Sequence, residues 1–142
     1  MDEIDPEHLY GTWRLVDSGG VDAEGKPLTD LWGPEGMGVL VIERNHRIIV
    51  LLVDGRTSIP DGEKRAFSTY CGNFVLDGNT LTTTIDAASD PSRIGTIQPR
   101  ELSLSNGRLR LRPPQRADGV QRNNYWEKVS TGSESEATGS PR

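Results

Sequence analysis

The chain is poor in the residues from which active sites are most often built. It has one cysteine, Cys71, and two histidines, His8 and His46, in 142 residues. A single cysteine excludes an internal disulfide. The three side chains share no ligand-like spacing, so no metal site is expected. No Gly-rich phosphate loop leads from a strand into a helix, and no Gly-x-Ser-x-Gly elbow occurs. No cofactor is therefore expected. The longest apolar run, residues 48–53, is far shorter than the ~18 residues that signal a membrane span. There is no basic stripe either. The net charge is −5, which makes nucleic acid an unexpected partner. Arg108, Arg110 and Arg112 alternate with leucines, as on the wet face of a strand. The chain begins without a basic stretch followed by an apolar one, so no signal peptide is expected and the cytoplasm is the default compartment.

What is present is punctuation. Glycine occurs 16 times and proline 9 times, much of it in turn pairs such as Asp54-Gly55, Asp77-Gly78, Asn106-Gly107 and Asp118-Gly119. Short runs of Val, Ile, Leu, Thr and aromatic residues lie between the turns, the pattern of an antiparallel all-β domain. Eight strands are predicted, over residues 12–18, 38–43, 47–53, 70–76, 80–86, 95–104, 108–112 and 123–129. A short helix is predicted over 61–68, where DGEKRAFS opens on Asp and continues with helix formers. Hydrophobic residues make up only 33% of the chain, and part of the deficit lies at its ends. Residues 1–8 read as a flexible acidic leader, and residues 130–142, with one alanine as their only apolar side chain, as a disordered polar tail. Residues 9–129 are then enough for one barrel or sandwich domain.

Alternation with a period of two assigns the faces. Trp13 and Leu15 share one face of the first strand. Tyr70, Gly72, Phe74 and Leu76 point inward from the fourth, Leu81, Thr83 and Ile85 from the fifth, and Leu109 and Leu111 from the seventh. In the sixth, Gln98 and Arg100 fall on the same side as Leu102 and Leu104, so they too are expected to face the interior. The second and third strands are apolar on both faces. If Leu40, Ile42, Ile48, Val50 and Leu52 point in, then Val39, Val41, Ile49, Leu51 and Val53 form an outer patch. Such a patch is covered either by the chain's own loop, residues 19–36, or by a homo-oligomer interface.

The motifs LYGTWRLV, DAEGKPLTDLWGPEGMGVLVIE, YCGNFVLDGNTLT, GTIQPRELSLSNGRLRLRPP and the closing YWEKV follow one another over roughly residues 9–129. In order and spacing they resemble the bacterial lipocalin-like domain family, small single-domain proteins distinct from secreted lipocalins. The resemblance implies an eight-stranded antiparallel up-and-down barrel with an internal pocket. It also implies that Gly11 and Trp13 are structural: Trp13 plugs the closed end under an arginine from a late strand, Arg100 or Arg122, and Gly11 admits the chain to the strand. One departure stands out. Relatives often carry a histidine in the fifth strand, about where this chain has Thr83 and Thr84, so any chemistry that histidine performs is missing here.

The expected lining of the interior is mixed: Leu40, Val50, Tyr70, Phe74, Thr83, Gln98, Arg100, Leu102 and Tyr125. An apolar wall with a few convergent polar groups is the usual make-up of a small-molecule site. A buried Arg100 needs a partner, because an unpaired buried charge is costly. The partner is a carboxylate from another strand, an anionic or carbonyl oxygen on a ligand, or, in the purely structural reading, the ring of Trp13. Trp32, in a Gly/Pro loop, is expected either to close the mouth or to pack on the outer patch. Three functions follow. The first is binding of a small, largely apolar or amphipathic molecule. The second is a cofactor-independent isomerase or cyclase on the same scaffold. The third is an assembly module with a filled barrel.

Overall fold

In the computed structural model, residues 3–129 are described. The strands in chain order are β1 (Gly11–Asp17), β2 (Gly20–Val21), β3 (Pro27–Leu28), β4 (Gly36–Ile42), β5 (Arg47–Asp54), β6 (Phe67–Asp77), β7 (Thr80–Ala88), β8 (Ile97–Ser105), β9 (Arg108–Arg112), β10 (Gln121–Arg122) and β11 (Asn124–Lys128). The eight longer ones close into a barrel in the order β1-β11-β9-β8-β7-β6-β5-β4, with β4 returning to β1. Every pairing is antiparallel, and closure leaves no free sheet edge. The predicted all-β, lipocalin-like barrel is the fold observed.

The alternation holds along the barrel wall. Leu40, Ile42, Ile48, Val50, Phe74, Leu81, Ile85, Leu102, Leu109 and Leu111 are all buried, as the period predicts. The outer patch is also present. Val39 and Leu51 are each 41% exposed and Ile49 is 45% exposed, so loop 19–36 does not cover it. That loop instead carries Leu31 and Trp32 to one end of the barrel.

The short strands add a feature that two-residue segments cannot announce through periodicity. β10, β2 and β3 form a separate small sheet beside the end of β1. At Gly20 (φ +153°) a Cβ would lie 2.2 Å from the Gln121 carbonyl oxygen, so only glycine allows this crossing.

The helix predicted over 61–68 does not form. Register with β5 places Phe67 opposite Val53 and Ser68 opposite Leu52, so both residues belong to β6. Cross-strand pairing outweighs the local helix preference, as tertiary context commonly does. Among the described residues the helical elements are two single turns of 3-10 helix, Pro6–His8 and Pro91–Arg93. From Ile4 onward the acidic leader makes contacts with the barrel. The Ile4 amide donates to Asn79 Oδ1 at 2.8 Å, Ile4 packs against the core, and Asp5 caps the first turn. The tail expected over 130–142 lies outside the described residues.

The leader closes one end of the barrel. Trp13 is 2% exposed, and its Nε1 donates to the Leu9 carbonyl at 2.9 Å. The cation over its ring is neither Arg100 nor Arg122. It is Lys128, whose Nζ lies 5.0 Å from the ring centroid and donates to the His8 carbonyl at 3.1 Å. The register explains the substitution: Lys128 stands directly opposite Trp13 across the β1–β11 pair. Gly11 is needed for its backbone angle, φ +132°, rather than for room, since a Cβ there would meet only the Lys128 side chain at an ordinary 3.5 Å.

Candidate functional site

The other end is hollow. A cavity of about 280 Å³ opens where β1 finishes. This is slightly below the ~300–1,000 Å³ usual for small-molecule pockets. Val50 and Leu52 of β5, Leu111 of β9 and Trp126 of β11 supply its apolar wall, and Leu31 and Trp32 reach it from their loop. Tyr70 and Ser68 of β6, Arg100 of β8 and Arg93 of the second 3-10 turn supply polar groups. Ser18, Arg122 and Asn124 complete the rim beside the small sheet.

Arg93 is aimed by its own turn. Asp90 caps the turn by accepting from the Ser92 amide, and Pro91 begins it. The chain then bends so that the Arg93 guanidinium lies over the Tyr70 ring, 4.6 Å from its centroid. It donates to the Ser68 hydroxyl at 3.4 Å and to Gln98 Oε1. Arg100 is half-buried, and its only hydrogen bond among the described residues goes to the carbonyl of its neighbour Pro99, at 2.8 Å. Burial lowers the Arg100 pKa from the ordinary guanidinium value. The nearby positive charge of Arg93 acts in the same direction, and Tyr70 opposes both. Arg122 donates to the Thr29 carbonyl at 2.9 Å and stands beside Asp30. Burial pushes the Asp30 pKa up, and the hydrogen bond and charge shared with Asp17 push it further.

Three residues of the cavity wall each carry a buried polar atom with no hydrogen-bond partner among the described residues: Ser18 Oγ, Trp32 Nε1 and Trp126 Nε1. Two of them can only donate and the third is a hydroxyl that can. Such groups are costly to bury unsatisfied, at about 1–3 kcal/mol each.

Of the residues expected to line the interior, Val50, Tyr70, Arg100 and Trp32 stand on this wall. Trp32 therefore sits at the mouth and not on the outer patch. Leu40, Phe74, Thr83 and Leu102 are buried in the packed part of the barrel, off the cavity. Gln98 reaches the cavity through Arg93, whose guanidinium it accepts. Tyr125 is on the other face. It stands opposite Arg110, whereas Trp126, one residue on, stands opposite buried Leu109 and is itself 1% exposed. The interior aromatic of β11 is Trp126. Arg93 and Ser18 were not predicted at all. The Asp-Pro pair at 90–91 does mark a helical start, but nothing local says where the following arginine points.

A closed up-and-down barrel, plugged by tryptophan at one end and hollow at the other, defines a lipocalin-like architecture. The chain matches the lipocalin-like domain family over residues 10–131 and belongs to that family. No curated protein and no solved structure matches it. Among the described residues no helix is long and apolar enough to cross a membrane, and no three side chains are grouped to hold a metal ion.

Proposed function

We propose that this protein binds a small, largely apolar molecule with one polar end inside the barrel, admitted at the mouth beside Trp32. The observation that supports this reading is the wall of the cavity: aliphatic and indole side chains on one part and the polar side chains of Ser68, Tyr70, Arg93 and Arg100 on another. A filled barrel acting only as an assembly module fits that wall poorly. A second reading, a cofactor-independent isomerase or cyclase, draws support from Tyr70, Arg93 and Arg100 meeting on one side of the cavity. Such groups can orient a substrate and stabilise charge that develops on it. Both readings place the molecule in the same cavity.

The test is native mass spectrometry of the protein purified from its own host, followed by extraction and identification of what is bound. The expected result is one small molecule per chain. A chain that carries nothing, and takes up nothing from an extract of that host, overturns the binding reading. The same spectrum reports oligomeric state. A dimer that dissociates when Ile49 and Leu51 are replaced by Thr would assign the outer patch to a second copy.

A further inference from the structure

The chain carries a net charge of −5, yet the cavity has the opposite character. Among the described residues three guanidiniums line it and no carboxylate does. Most arginines elsewhere are treated differently, Arg65, which donates to two peptide carbonyls, being the exception among the described residues. Eight other arginines each have a carboxylate within 4.0 Å. Arg122, at the rim, has Asp30 for a neighbour. Among the described residues Arg93 and Arg100 hydrogen-bond neutral acceptors only, a hydroxyl, an amide oxygen and a peptide carbonyl, and Arg93 feels the charge of Asp90, the cap of its own turn, without pairing to it. Asp54, a buried carboxylate at the end of β5, is taken by Arg56 at 2.7 Å and by the Arg56 amide at 3.1 Å. Two like charges on one half-buried wall repel one another and lose part of their hydration, a cost that a bound counter-charge would relieve. The unpartnered atoms point the same way. Trp126 Nε1 and Trp32 Nε1 offer protons and accept none.

Resting on the reading of this cavity as a ligand site, we infer that the ligand is an organic anion whose carboxylate lies against Arg93 and Arg100 and whose apolar body occupies the wall formed by Leu52, Leu111 and Trp126. A carboxylate presents two oxygens with about four acceptor positions, which suits two planar guanidiniums. The cavity volume of about 280 Å³ limits the body to a single ring or a short chain. Arg93, already stacked on Tyr70, is the better ordered of the two cations. Arg100, tied only to a neighbouring carbonyl, is the one free to reach.

The test uses matched acids and amides of nearly equal shape: benzoate with benzamide, cinnamate with cinnamamide, octanoate with octanamide. Binding to the full chain at neutral pH is followed by calorimetry and by the fluorescence of Trp32 and Trp126, both on the cavity wall. In at least one pair the acid binds about tenfold or more tightly than its amide, the scale of one charge-assisted contact. Arg93→Gln and Arg100→Gln each weaken the acid more than its amide and so narrow that preference, and Arg100→Lys keeps more of it than Arg100→Gln. Unchanged melting curves confirm that the variants fold. If amides bind as well as acids, the anion inference fails and the cavity reading stands. If no member of any pair binds, both fail together.

Discussion

Two tryptophans, one at each end of the barrel, show how differently the two ends are built. Trp13 and Trp126 are almost equally buried, at 2% and 1% exposure. Trp13 has its indole proton answered by the Leu9 carbonyl and its ring capped by Lys128. Trp126 has neither, and among the described residues its Nε1 is left without an acceptor on a wall it shares with Arg93 and Arg100, which form no ion pair there. The indole proton is thus satisfied at the closed end and unsatisfied at the other, although Thr83 Oγ1 in the packed interior also lacks a partner among the described residues. The closed end is organised for stability. The open end tolerates unsatisfied groups, which natural proteins concentrate where they bind or react.

The largest expected effect breaks the closed end. Trp13→Ala removes a fully buried indole and should cost about 3–5 kcal/mol in denaturant unfolding, the usual range for such a truncation. A sharper comparison uses phenylalanine at both positions. Trp13→Phe leaves the Leu9 carbonyl without its donor, an added penalty of about 1–3 kcal/mol. Trp126→Phe loses packing but no hydrogen bond. Trp13→Phe should therefore be the more destabilising of the two by roughly that margin. Equal losses would mean that the orphaned state of Trp126 is not what distinguishes the ends.

The same contrast explains what could be read in advance. Strand positions and inward faces follow from period-two alternation because each barrel strand has one dry and one wet side, so Leu81, Thr83, Leu102 and Leu109 were legible from spacing alone. β11 failed by one residue because Tyr125 and Trp126 are adjacent. Either parity puts an aromatic inside, and only the pairing of Trp126 with Leu109 decides. The plug was legible as Trp13, but the identity of its cation was not. That depends on the β1–β11 register, which brings Lys128 opposite. The site was half legible. Tyr70 and Arg100 lie on long strands and Trp32 was marked by its Gly/Pro loop, whereas Arg93 and Ser18 come from a single turn and a strand end, where no periodicity operates. The helix over 61–68 failed for the complementary reason: its local preference was real, but Phe67 and Ser68 had partners in β5.

Acid should loosen the open end before the closed one. Asp54 is buried at the end of β5, where it accepts from the Arg56 side chain and amide, while its carbonyl accepts from Arg65 at 2.7 Å. The side-chain hydrogen bond from Arg56 holds its carboxyl below the usual carboxylate range. A carboxylate whose folded pKa is lowered contributes stability that is fully present above its unfolded value, about 3.9, and is lost as pH falls through the lowered one. The counterpart at the closed end, Glu7 with Arg44, is exposed on both sides, at 55% and 68%, and such pairs contribute little. Below about pH 4, hydrogen exchange should therefore accelerate first over residues 54–66, and Trp13 should stay protected. In Asp54→Asn the acid-dependent step should disappear. Simultaneous loosening at both ends would remove this part of the contrast.

The smallest expected effect is the most telling, because its sign is the point. Arg100 has no anionic partner among the described residues and loses hydration in its half-buried position, so its charge works against folding. Replacing it with a neutral side chain of similar length removes that opposition and sacrifices one hydrogen bond to a neighbouring carbonyl. Arg100→Met should leave the melting temperature unchanged or raise it slightly. Lys128→Met at the closed end should lower it, by a loss of about 0.5–1 kcal/mol from the cation over Trp13. Thermal melts of the two variants beside the parent decide the matter. If Arg100→Met is the less stable protein, then Arg100 is part of the framework, and the open end is built on the same terms as the closed one. If it is as stable or more so, the arginine is there at the expense of the fold, which is what a residue kept for a ligand should look like.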